Sequence, residues 1–217
     1  MCDAPITWVQ SAHLSSFGEL GASLLDGKVR FIDRETGDEL TVTIPPVNAY
    51  AMRGVYRPTR LTEAKYAVLE NALFTINGRQ LFIPQTFGAG YYVRGAGMAQ
   101  REVWHYVTRE HCQRLRAGLT IHRSVVSSTP HEFERQPEAD FEEYFYFLTD
   151  GVGLLERAGM WTDGTLVDDG FRFDGPTLAQ VPMGYHRVVA LPDADGNTPF
   201  MAYIWCYLCK KPEWEKD

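Results

Sequence analysis

The sequence predicts an all-β protein, a sandwich or barrel of many short strands. Three observations carry that expectation. Strand-like runs recur along the 217 residues with glycine or proline between them, helix signals are scarce, and two tight hairpin turns stand out in the first half. A chain of this length suits one large all-β domain or two small ones.

Taken in order, residues 11–26 (SAHLSSFGELGASLLD) read as a short helix or two, weakened by Gly18 and Gly21. Val29–Asp33 and Leu40–Ile44 flank Glu35-Thr36-Gly37-Asp38, a hairpin turn. Leu61–Leu69, with Thr62 as a capping residue and apolar spacing of three to four, predicts one or two helical turns. Leu73–Ile76 and Gln80–Ile83 flank Asn77-Gly78, the strongest short-range hairpin signal. Further strands are expected at Tyr91–Arg94, Glu102–Thr108, Gln113–Leu115, Leu119–Val126 and Tyr144–Leu148. The last group is Gly153–Ala158, Leu178–Val181, His186–Leu191 and Phe200–Leu208. No fixed-period repeat is present. Arg94–Met98 (RGAGM) is the candidate junction between two strand-rich parts, 1–95 and 96–217.

Composition narrows the function. Apolar residues make up 45% and charged residues 23%, the balance of a folded globular protein. The formal charge of −7, with no cluster of Lys or Arg, makes nucleic-acid backbone a poor partner. The apolar run around Phe200–Cys209 is too short to span a bilayer. The opening MCDAPITW has no basic segment followed by an apolar one, so a cytoplasmic location is expected. Cys2, Cys112, Cys206 and Cys209 are too few and scattered for a disulfide framework. Cys206 and Cys209 have CxxC spacing, but on a strand positions i and i+3 face opposite ways, so buried, inert thiols are expected.

The chemistry is concentrated in residues 131–186. In His131-Glu132-Phe133-Glu134, alternation puts His131 and Phe133 on one face. In FEEYFYF, Glu142, Tyr144 and Tyr146 share a face, and Phe141, Glu143, Phe145 and Phe147 share the other. The first set, being polar, is assigned to a wet interior, and the second to packing between sheets. Pro182 and Gly184 make a turn that delivers His186 at a strand start. Two imidazoles and one carboxylate would then meet inside the barrel, a donor set suited to zinc, iron, manganese or nickel with open positions. Histidines near strand ends are also common as hydrogen-bonded surface or core residues, and spacing leaves both readings standing. GxGxxG, phosphate-loop, GxSxG and HExxH patterns are absent from the sequence.

The strings Ser127-Ser128-Thr129-Pro130-His131, Glu142 to Phe147 and Val181-Pro182-Met183-Gly184-Tyr185-His186, followed by Val188-Val189-Ala190, carry a resemblance. Over roughly residues 95–210 the chain resembles the uronate isomerase family of cupins, which comprises 5-dehydro-4-deoxyuronate ketol-isomerase and 5-deoxyglucuronate isomerase. The resemblance implies a cupin-type double-stranded β-helix barrel over 96–217 and a reduced cupin-like half over 1–95, together a bicupin. It implies a divalent metal, zinc first, then iron or manganese, on His131, Glu142 and His186. The family's second histidine of its HxH falls on Phe133, which has no lone pair, and His122 is a distant replacement. The implied activity is aldose–ketose isomerisation of a uronate or related sugar acid. Tyr144, Tyr146 and Tyr185 would line the lumen and Arg187 would pair with a substrate carboxylate. The alternatives are a catalytically inactive cupin serving as a binding or structural subunit, and a cupin metal enzyme of another class such as an oxygenase. Free sheet edges make a homo-oligomer the expected assembly.

Overall fold

The computed structural model describes residues 7–8, 18–25, 28–43, 73–81, 91–93, 101–122, 141–147, 152–160, 164–174, 177–181, 183–192 and 201–209. Every regular element among the described residues is a strand, in keeping with the all-β expectation. In chain order they are β1 (Thr7–Trp8), β2 (Leu20–Leu25), β3 (Lys28–Asp33), β4 (Glu39–Thr43), β5 (Leu73–Ile76), β6 (Arg79–Leu81), β7 (Tyr91–Val93) and β8 (Arg101–Val107). Then come β9 (Leu115–His122), β10 (Phe141–Phe147), β11 (Val152–Met160), β12 (Leu166–Asp174), β13 (Thr177–Val181), β14 (Met183–Leu191) and β15 (Met201–Cys209).

They form three sheets. A seven-stranded sheet runs β1-β13-β10-β15-β9-β8-β7, a three-stranded sheet runs β12-β11-β14, and a five-stranded sheet runs β2 to β6 as successive neighbours. Both hairpin turns form where the sequence puts them. Gly37 has φ +79°, and Asn77 and Gly78 have φ 49° and 78°, left-handed values that glycine and asparagine accept most readily. Asp33 Oδ1 accepts from the amides of Glu35 and Thr36 at 3.0 and 3.4 Å, closing the first turn with a side chain.

Three strand expectations change. The helix expected over 11–26 is replaced, in its described part, by strand β2, paired antiparallel to β3 with Leu20 opposite Asp33 and Leu25 opposite Lys28. Pairing with β3 outweighs the weak helical spacing. Parts of the runs at 113–115 and 119–126 join in one strand, β9 (Leu115–His122), with Gly118 within the ladder opposite Trp205; residues 123–126 lie outside the described residues. Strand β12 was hidden by Asp168, Asp169 and Gly170, residues that usually sit in turns but here pair along β11. The helical turns expected at 61–69 lie outside the described residues.

The seven-stranded sheet is the middle layer. One face packs on the five-stranded sheet: Tyr144, Tyr146, Leu178, Ile204, Cys206 and Leu208 share a buried cluster with Leu20, Phe31, Leu40, Val42 and Phe74. The other packs on the three-stranded sheet, where Phe145, Phe147, Tyr203 and Trp205 meet Leu155, Phe173, Val188 and Ala190. The boundary expected near residue 95 lies outside the described residues; on either side of it β7 pairs with β8, and β1 pairs with β13. Among the described residues, residues 1–95 contribute the five-stranded sheet and, to the seven-stranded sheet, β1 and β7.

Ionic groups tie the outer layer to the middle one. Arg114, with a side chain 7% exposed, ion-pairs with Glu19, Glu35 and, at 3.2 Å, Asp33. From β10, Glu142 ties the same layers by accepting from the backbone amides of Glu19 and Leu20.

Candidate functional site

The two faces of β10 decide where a site can be. Register settles which side chains share each face, because residues directly opposite in a ladder point the same way. Glu142 lies opposite Leu208, Tyr144 opposite Cys206 and Tyr146 opposite Ile204, on the side of the five-stranded sheet. Glu143 lies opposite Tyr207, Phe145 opposite Trp205 and Phe147 opposite Tyr203, on the side of the three-stranded sheet.

Glu142 is 2% exposed. Its carboxylate accepts from the Glu19 amide at 3.0 Å and the Leu20 amide at 2.8 Å. A Cβ added at Gly18 would stand 2.4 Å from Glu142 Oε2, so the approach of the carboxylate requires glycine there. Tyr144 is 1% exposed and tilts against Phe31 with ring centroids 6.3 Å apart. Burial first, then the nearby Glu142 charge, pushes its phenol up. Burial does the same to Tyr146. Both phenols are therefore held in their neutral form between the two sheets.

His186 sits on the other side. It is 3% exposed and meets Phe145 edge to face, with centroids 5.0 Å apart. Glu142 and His186 are therefore not brought together, since they belong to opposite faces of the middle sheet; His131 and Phe133 lie outside the described residues. Glu142 and His186 do not fit a shared metal. Among the described residues, no three of His, Cys, Asp or Glu are grouped so as to hold an ion. The assignment of the polar face of β10 to a wet interior is corrected too. That face is a buried contact between layers, and the face bearing Glu143 and the phenylalanines looks toward His186.

The remaining expected residues separate likewise. Arg187 follows His186 on β14, points to the opposite face and ion-pairs with Glu156. It is not placed beside His186 to receive a substrate carboxylate. Tyr185 lies on β14 opposite Ala158; its side chain lies outside the described part, as does that of His122, at the end of β9.

What does assemble between the middle and three-stranded sheets is an aromatic wall with buried polar groups. Trp205 and Tyr207 are stacked at 5.7 Å and 16°, and the exposed His105 ring meets Trp205 edge-on at 5.0 Å. Phe145 and Tyr203 continue the wall with centroids 4.9 Å apart. Facing them, Arg157 lies directly across the ladder from His186 and is 3% exposed. Its guanidinium donates to Asp169 Oδ1 and Oδ2 at 2.7 and 2.6 Å and to the Gln180 carbonyl at 2.9 Å, and stands 5.1 Å over the Phe171 ring. The bidentate fork fixes its orientation. Glu143, 8% exposed, belongs to the same inner face.

Sequence reasoning missed Arg157, Asp169, Glu143 and His105. Arg157 lies in the expected strand Gly153–Ala158, where nothing in the sequence marks it as buried, and only the 157–186 pairing puts it inside. Alternation grouped Glu143 with the phenylalanines correctly, but did not say which face was the inner one.

No family model matches the chain, and no curated protein does. Among solved structures it is similar to a cupin-like protein from Thermotoga maritima, with 11% identity, 61% of this chain and 86% of that chain covered, and a TM-score of 0.40. It is similar to the polyketide cyclase RemF from Streptomyces resistomycificus, with 14% identity, coverage of 58% and 79%, and a TM-score of 0.39. KdgF from Halomonas sp. matches at 14% identity, with coverage of 60% and 96% and a TM-score of 0.36. The architecture described above rests on this chain's own strand pairing.

Proposed function

We propose that this chain binds a small polar ring compound of the sugar-acid kind between its seven-stranded and three-stranded sheets. It acts as a binding or structural subunit rather than as a ketol-isomerase working through His131, Glu142 and His186. One observation carries the reading: the Glu142 carboxylate is committed to the Glu19 and Leu20 amides, across the middle sheet from His186. Phe133, standing where the resemblance calls for an imidazole, weakens the same ligand set from the sequence side.

The inner face supports binding. Aromatic rings such as Trp205 and Tyr207 offer broad apolar contact to the C–H faces of a sugar ring, while a few fixed polar groups set its orientation. His186, Glu143 and Arg157 are such groups, and the exposed His105 beside Trp205 marks the end of the wall nearest solvent.

The test combines metal analysis and calorimetry on protein purified without chelators, with a panel of uronates as ligands. The expected result is well under one metal per chain, saturable binding of a uronate without its interconversion, and weakened binding in Trp205→Leu. One metal per chain that is lost in Glu142→Gln, or turnover of the bound uronate, would overturn the reading and restore the isomerase.

A further inference from the structure

The edge of the three-stranded sheet carries an unexplained pattern. Among the described residues β12 pairs with β11 alone, so one side of a nine-residue strand is an open ladder. Along it Leu166, Asp168, Asp169, Gly170 and Arg172 are exposed. Long exposed edges invite pairing with another strand and are normally blunted. Asp168 and Arg172 share the outer face, and among the described residues neither has an ion-pair partner. Gly170 lies midway between them. Its own sheet does not require glycine: a Cβ there would meet Glu156 Cγ at 3.4 Å, the Leu155 carbonyl oxygen at 3.5 Å and Glu156 Cα at 3.8 Å, all ordinary contacts, and its φ is not among the positive values.

We propose that β12 pairs antiparallel with β12 of a second copy of this chain, about a two-fold axis through Gly170. A two-fold axis perpendicular to the sheet keeps inner faces on one side, so opposed residue numbers must sum to an even value. Centred on Gly170, the register sets Asp168 against Arg172 of the partner subunit and Arg172 against Asp168 of the partner subunit. Both pairs are attractive. Moving the centre to Asp169 sets Asp168 against Gly170 and Arg172 against Leu166, and moving it to Phe171 sets Arg172 against Gly170. Either shift loses both attractive pairs, so the charges single out the register centred on Gly170. The glycine at the centre keeps the closest backbone approach clear. The two three-stranded sheets become one continuous sheet, and the inner faces bearing His186 and Arg157 remain on one side of it.

Sedimentation equilibrium of the full chain tests this, with circular dichroism confirming that each variant is folded. The native chain is expected to dimerise. Asp168→Arg sets two arginines against each other at both outer pairs, and Arg172→Asp sets two aspartates there. Each substitution alone raises the dimer dissociation constant about thirty-fold, from two pairs turned from attractive to repulsive. Mixed together, the two variants pair a chain carrying only arginine at these positions with one carrying only aspartate, and form a heterodimer near native affinity. A monomeric native chain, a dimer indifferent to both substitutions, or variants that stay apart when mixed would each overturn the proposal.

Discussion

Replacing Glu142 with alanine separates a structural carboxylate from a metal ligand. The side chain is 2% exposed and accepts from two amides, at 3.0 and 2.8 Å. Hydrogen bonds to a charged group contribute about 1.5–3 kcal/mol each, and leaving a buried donor unmade costs a similar amount. The Leu20 amide is buried, so its bond counts fully; the Glu19 amide is only partly buried and can recruit water. The expected destabilisation is therefore about 3 kcal/mol for Glu142→Ala, or roughly 6–12 °C in Tm for a chain of this size. Glu142→Gln keeps one acceptor and turns an N–H₂ toward a donor, so about 2 kcal/mol is expected. Urea unfolding followed by far-ultraviolet circular dichroism and by tryptophan fluorescence gives the difference, provided the two probes coincide. Metal content is measured on the same samples. A loss below about 1 kcal/mol, accompanied by release of a stoichiometric metal, would refute the structural assignment.

Three other outcomes follow from the same geometry. Burial raises the Asp38 carboxyl, but hydrogen bonds from Cys112, Asn77 and Thr36 and the charge of Arg114 outweigh it and hold the group below its ordinary value. A depressed folded value contributes stability that is present above the unfolded value, near 3.8, and is lost as pH falls through the folded one; acid titration of Asp38→Asn should accordingly show a shallower loss of stability below about pH 4 than the native chain. Burial pushes the Cys112 and Cys206 thiols up and leaves little thiolate, so peptide mapping after alkylation of the native protein at about pH 8 should find both unmodified, and fast labelling of either would contradict their placement. Removing Asp169 strips the fork from Arg157, whose side chain is 2% exposed; because the aspartate itself is 44% exposed, Asp169→Ala should cost about 2 kcal/mol rather than the larger penalty of a fully buried pair, again read from urea unfolding.

Much of the fold was legible because its signals are local. The Asn77-Gly78 turn and the Gly37 turn demand left-handed backbone, and few residue types supply it. Strand β15 reads as a continuous apolar run because both of its faces are covered, a pattern that needs no partner to be recognised. Strand β12 was not legible, since an edge strand with two aspartates and a glycine resembles a turn until β11 pairs along all of it. Splitting β9 at Gly118 was an error of the same kind, because a glycine inside a ladder looks like a break when the strand across from it is unknown.

By itself the sequence determined the all-β class, the two hairpins, and which residues of β10 share a face, because alternation and turn chemistry act within a few residues of chain. Only the tertiary structure decided which of those faces turns toward His186. With a sheet covered on both sides, both faces of β10 are buried, and nothing in FEEYFYF distinguishes the layer beyond the tyrosines from the layer beyond the phenylalanines. That choice depends on where β2 to β6, far upstream, and β11, β12 and β14, downstream, pack against the sheet, and it is what separates Glu142 from His186.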